Sequence, residues 1–241
     1  MDNSLVRYTL KHLLIFCFWL VAARYLGGLA LMVMTLVGVL CILREKFGCA
    51  YSIYAMMTFM IVINPFILPK TVLFMGVGLR FGALLLGLSL MVRGMKMSGK
   101  IRLPLGWLML FLAVAAISSA RGWAPFVSYM KMINFIVFFC SIWIGSPLLI
   151  KDEKGLEELR GTFIAIGAFV IVGSLALAPF PGISTLQAVK LAALQDAGES
   201  GFARNVLEKA LMENDSMLLC GVLFHSQALG ALLACVFAWI F

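Results

Sequence analysis

"TVLFMGVGLRFGALLLGLSLMVRGMKMSGKIR", Thr71 to Arg102, decides what kind of molecule this is. Residues 71–92 are apolar apart from Thr71, Arg80 and Ser89. A helix needs about 20 such residues to cross a hydrocarbon core. The run then breaks into "RGMKMSGKIR", where Arg93, Lys96, Lys100 and Arg102 put four cations into ten residues. An apolar helix closed by a basic loop is a membrane span whose basic end faces the cytoplasm.

The rest of the chain repeats this pattern. Of 241 residues, 63% are hydrophobic and 12% charged, and mean hydropathy is +1.06. Soluble domains sit near half apolar and a quarter charged, so the sequence specifies an integral membrane protein, not a soluble enzyme. The first apolar run is not followed by a small-residue cleavage site and a polar mature domain, so it is not a signal peptide. The net charge of +8 reflects loops on one side of a membrane and does not indicate nucleic acid. Five of the six cysteines (Cys17, Cys41, Cys140, Cys220 and Cys235) lie in apolar runs and there is no CxxC. The expectation is soft packing, with no disulfide and no metal. No Walker loop, GxSxG or metal-ligand cluster occurs, and no cofactor is expected.

The pattern predicts an all-α, polytopic bundle forming a single transmembrane domain over 1–241. About eight spans are expected, near 8–23, 26–43, 50–68, 71–92, 103–120, 125–147, 161–178 and 218–240. The first two are separated by "ARYLGG" and predict a short hairpin; one long helix would bury Arg24, which is costly. With both termini cytoplasmic, the inner segments hold Arg7, Lys11, Arg44, Lys46, Arg93, Lys96, Lys100, Arg102, Lys151, Lys154 and Arg160, which is 11 of the 19 cations. The outer ones hold Arg24, Lys70, Arg121, Lys190, Arg204 and Lys209. "KDEKGLEELRG" (151–161) reads as a charged inner linker. The outer loop from Pro179 to Ser216 carries two amphipathic stretches, "STLQAVKLAAL" and "FARNVLEKALMEN", suited to a membrane surface or a cavity lid. The chain stops at the end of the last span, and the expectation is a chain lacking a C-terminal half.

Ionisable groups within spans are costly and raise a functional hypothesis. Arg80, expected about nine residues deep (~14 Å), is flanked by Gly78 and Gly82 in a GxxxG arrangement that admits a neighbouring helix. Lys131 lies in "VSYMKMINF" and His225 in the eighth span. On this topology all three fall in the outer half of the bilayer, with Arg121 at its edge. No acidic residue lies in any of the eight spans, which disfavours a cation-coupled pump. Cations without internal counter-ions suit an anion such as a lipid phosphate or diphosphate.

"CGVLFHSQALGALLA" (220–234) resembles the segment of O-antigen ligases and O-antigen polymerases where a glycine-led loop enters a span. Gly221, His225, Ser226, Gln227, Leu229 and Gly230 take the motif places. Leu218 stands where relatives often carry arginine, and Ser226-Gln227 where they have Pro-Asn. The "GLRFGALLLGLSLM" and "YMKMINFIVFF" helices fit the same layout, that of the family's N-terminal half. The resemblance implies a GT-C-like bundle in the bacterial inner membrane. It would handle an undecaprenyl-diphosphate-linked saccharide at the outer face without a metal. It also implies that Arg80, Lys131, Arg121, His225 and Gln227 bind substrate and that Gly221–Gly230 line the cavity. The acceptor-activating base of the family belongs to a second outer loop, so a partner chain would have to supply it. Membrane lipids and a polyprenyl-diphosphate-linked glycan are the implied partners. Two other classes compete: a transporter or flippase of a lipid-linked or anionic substrate, for which "NPFILP" is the sole candidate broken helix, and a non-catalytic membrane subunit.

Overall fold

The computed structural model describes residues 3–64, 66–69, 75–98, 110, 113–114, 116–117, 132–133, 136–137, 140–144, 148, 153–180 and 183. Among these the fold is all-helical. Five continuous helices carry it: α1 (Asn3–Leu26), α2 (Gly28–Leu43), α3 (Phe47–Met60), α4 (Met75–Ser98) and α5 (Glu153–Leu177). Three segments, Leu5–Leu26, Gly78–Lys96 and Glu153–Leu177, are long and apolar enough to cross a membrane, while α2 and α3 are shorter apolar helices. The chain is a membrane protein. The expected spans 103–120, 125–147 and 218–240 lie wholly or largely outside the described residues.

α3 is the central helix. It packs against α2, α4 and α5, while α1 lies against α5 and α2. Buried positions run around its whole circumference, including Tyr51, Ser52, Ile53, Tyr54, Met56 and Met57. Its hydroxyls are satisfied locally or by neighbours, as burial in an apolar medium requires. Tyr51 Oη donates to the Ser141 carbonyl at 2.8 Å, and Ser52 Oγ to the Gly48 carbonyl at 2.8 Å. Thr162 Oγ1 of α5 lies 2.8 Å from Ser52 Oγ.

Small residues set the closest approaches. A Cβ added at Gly48 would collide with the backbone of Gly155, so α3 and α5 touch main chain to main chain. The predicted Gly78/Gly82 pair behaves as expected. A Cβ at Gly78 would lie 3.2 Å from Leu31 Cδ1, and one at Gly82 2.5 Å from Met57 Cε and 2.6 Å from Thr35 Oγ1. α4 thus seats its glycine face on α2 and α3.

Contacts sort the helix ends into two groups. Lys11 pairs with Glu158 at 3.4 Å, and Arg93 pairs with Glu45. Cys41 Sγ lies 3.3 Å from Cys49 Sγ, and Gly161 meets Tyr8 and Thr9. These contacts join the start of α1, the end of α2, the start of α3, the end of α4 and the start of α5. At the opposite end Arg24 reaches Phe66 and Ile67, and Asn64 reaches Ile183. Consecutive helices α1 to α4 therefore alternate in direction. The first reversal takes one residue, Gly27, whose φ of 56° and ψ of −128° glycine alone adopts without strain. The hairpin expected there is formed, with Arg24 beside the turn.

Three expected boundaries are corrected. The third span was expected over 50–68, but α3 stops at Met60. A proline at 65 clashes with the carbonyl of residue 61 in a continuing helix and pushes Asn64 out of the helical region. The charged stretch 151–161 was read as a linker, yet α5 begins at Glu153. Its Glu, Leu and Arg residues are good helix formers, and Glu153 favours a first turn. As a result Glu157 and Glu158 lie on a candidate spanning helix, near its end. α4 likewise extends to Ser98, past the expected limit at 92.

Candidate functional site

Of the ten lysines and arginines among the described residues, eight lie at one end of the bundle: Arg7, Lys11, Arg44, Lys46, Arg93, Lys96, Lys154 and Arg160. We call it the basic end. Arg24 and Arg80 belong to the other.

The opposite end is organised by Asn64, which is fully buried. Its side-chain Oδ1 accepts from Phe66 N–H at 3.0 Å, and its Nδ2 donates to the Ile183 carbonyl at 3.0 Å. Its own carbonyl accepts from Ile67 N–H and Leu68 N–H at 2.9 and 3.0 Å. Arg24 Nη1 then donates to the carbonyls of Phe66 and Ile67 at 2.7 and 2.8 Å. A short non-helical segment is tolerated beside lipid because protein groups satisfy its backbone. Arg24 is thus engaged in holding the chain that follows α3.

Arg80 differs. It is exposed on α4, on the side away from the glycine face, and no described residue pairs with its guanidinium. Its neighbours on that side, Phe81 and Leu85, are 60% and 52% exposed. α4 is described from Met75, which places Arg80 in the second described turn. A guanidinium there is a permanent charge with five donors in a planar fork, suited to phosphate oxygens. Arg121, Lys131, Gly221, His225, Ser226, Gln227 and Gly230 lie outside the described residues, as does all but the start of the 179–216 loop.

No protein-family profile matches the chain, and no curated protein or solved structure matches it either.

A histidine is also buried near the basic end. His12 is 3% exposed on α1, and neither ring nitrogen has a hydrogen-bond partner. Thr9 Oγ1, one turn earlier, is also buried without one. Both face the α1–α5 contact that carries the Lys11–Glu158 pair. Position 12 adjoins a lysine at the edge of an apolar run, and such a histidine reads as solvated. The extension of α5 to Glu153 is what covers it. Among the described residues no group of three or more His, Cys, Asp or Glu is arranged to hold a metal.

Proposed function

We propose that the chain handles an undecaprenyl-diphosphate-linked saccharide at the outer face of a bacterial inner membrane, in the manner of the O-antigen ligases and polymerases. The observation that supports this reading is Arg80. It is an exposed cation at the end of the membrane bundle that holds two of the ten described cations, while Arg24 at the same end is committed to backbone carbonyls. A diphosphate supplies the negative oxygens that such a group lacks. The sequence resemblance at 220–234 names the lipid-linked class.

The proposal includes eight spans in a GT-C-like arrangement, both termini in the cytoplasm and the basic end inside. The eight-to-two division of the described cations supports that orientation. Single cysteines at Glu45 and Phe66 in a cysteine-free background test it. An impermeant maleimide added to intact spheroplasts is expected to label the Phe66 position and to spare the Glu45 position. The reverse pattern would invert the topology and move Arg80 to the cytoplasmic side.

A second reading, a transporter or flippase, draws on the helix break after Met60. Asn64 and Arg24 tie that segment down by six hydrogen bonds that use its backbone or their own side chains, which suits a fixed wall better than a moving gate.

Binding of undecaprenyl diphosphate to the purified protein tests the lipid-diphosphate site itself. Saturable binding, weakened about tenfold or more by Arg80→Ala, is the expected result, since a charge-assisted contact contributes roughly 1.5–3 kcal/mol. Equal binding by both proteins would remove Arg80 from the site. Binding by neither would leave a membrane subunit without this ligand.

A further inference from the structure

The molecule carries a second feature at its other end, independent of the glycan reading. Near the basic end, α2 and α4 line a groove of about 360 Å³. Val39 and Leu43 of α2 and Leu88 and Val92 of α4 form its walls. Leu43 is 71% exposed and Val92 45%, and they continue an apolar surface that includes Leu36, Leu40 and Leu85. In a membrane that surface faces hydrocarbon.

The mouth of the groove is different. Arg93 and Lys96 line it directly, and Arg44 and Lys46 are exposed on the turn beside it. Among the described residues one carboxylate, Glu45, answers these four cations, through Arg93 Nη2. Arg93 Nε is buried without a hydrogen-bond acceptor. No described residue pairs with Lys96. The groove is therefore mostly apolar along its length, with the Ser89 hydroxyl already donating to the Leu85 carbonyl, and cationic at its rim. A phospholipid has the complementary cross-section, with acyl chain below and phosphate above.

We infer that the α2–α4 groove is a binding site for an anionic glycerophospholipid. An acyl chain lies between Val39, Leu43, Leu88 and Val92, and the phosphate faces Arg93 and Lys96. The apolar walls offer nothing to a free phosphate. The net positive rim separates an anionic headgroup from a zwitterionic one, at roughly fivefold per cation near the surface.

The test is native mass spectrometry of the purified full chain with phosphatidylglycerol, phosphatidylcholine or glycerol 3-phosphate. The expected result is retention of phosphatidylglycerol over phosphatidylcholine by about tenfold or more, and no competition by glycerol 3-phosphate. Lys96→Gln should reduce retention roughly fivefold; Lys96 has no described ion pair, so this change leaves the Arg93–Glu45 contact in place. Leu88→Trp, which fills the groove from the lipid-facing side, should reduce it while leaving the cations intact. Equal retention of the two lipids, competition by glycerol 3-phosphate, or undiminished retention in both variants would each overturn the site.

Discussion

Replacing Gly48 by alanine is expected to cost about 3 kcal/mol or more, and by valine more still, at the upper end of overpacking penalties. The reason is the identity of the obstacle. A Cβ at position 48 meets the Cα, carbonyl carbon and oxygen of Gly155, none of which can rotate away. α3 and α5 must move apart, and the Thr162–Ser52 contact one turn along must open with them. Thermal unfolding in detergent should show a fall of roughly 6–12 °C for the alanine variant, at about 2–4 °C per kcal/mol for a chain of this size. Gly38→Ala is the matched control. There the added Cβ meets the methyl carbons of Leu86 at 2.6 and 3.0 Å, side-chain ends that shift by rotation, so a loss of about 1 kcal/mol is expected. Similar losses for the two variants would show that α3 and α5 are not in main-chain contact.

Asn64→Ala is expected to cost about 2–4 kcal/mol. The change removes both side-chain hydrogen bonds and strands the Phe66 N–H and the Ile183 carbonyl, at about 1–3 kcal/mol for each buried group left unsatisfied. Asn64→Asp keeps the acceptor for Phe66 N–H but replaces the donor to Ile183 by an oxygen that faces the Ile183 carbonyl. At this fully buried position a loss at least as large as the alanine value is expected. Limited proteolysis gives a local reading, because the bonds lost hold the chain between Ile61 and Pro69. Cleavage there in the alanine variant, with the helices intact, is the expected result. A variant as stable and as resistant as the parent would sink this account of Asn64.

Hydropathy locates lipid, and that is why part of the fold was readable and part was not. The apolar runs at 8–23, 26–43 and 71–92 mark real helices, yet α1 starts earlier, at Asn3, and α4 continues to Ser98. A helix does not end where hydrocarbon ends. Lys96 and Glu157 can sit on helical turns in water, and the charges that look like loop are compatible with either state. The opposite error occurs at 61–68, where the residues remain apolar after the helix has stopped. Pro65 was the signal, because it forbids the helical bond to residue 61.

Centre and rim were harder to distinguish. In water an apolar stripe tells the core side of a helix. In a bilayer both sides are apolar, so α3 and α2 read alike although one is encased and the other exposed along Leu29, Met32, Leu36 and Leu40. What separates them is fine detail: Tyr51, Ser52, Tyr54 and Thr58 give α3 hydroxyls that need protein partners. The GxxxG reading of Gly78 and Gly82 worked for the same reason, since small residues report backbone proximity in any solvent. Arg80 could be singled out from cost alone, but which way it faces depends on those two glycines. His12 was missed because its burial comes from α5, 140 residues and more away in sequence.

The shortness of α2 has a consequence for the bilayer itself. Its 16 residues span about 24 Å, against a hydrocarbon thickness near 30 Å. α1, with 24 residues, spans about 36 Å. One flank of the molecule therefore undershoots the membrane and another overshoots it. Lipids along α2 must compress while α1 tilts, each at a fraction of a kcal/mol per ångström of mismatch. The protein then acts as a wedge, thinning the leaflet on one side only, and thicker or cholesterol-stiffened bilayers should exclude it or drive copies together along that flank.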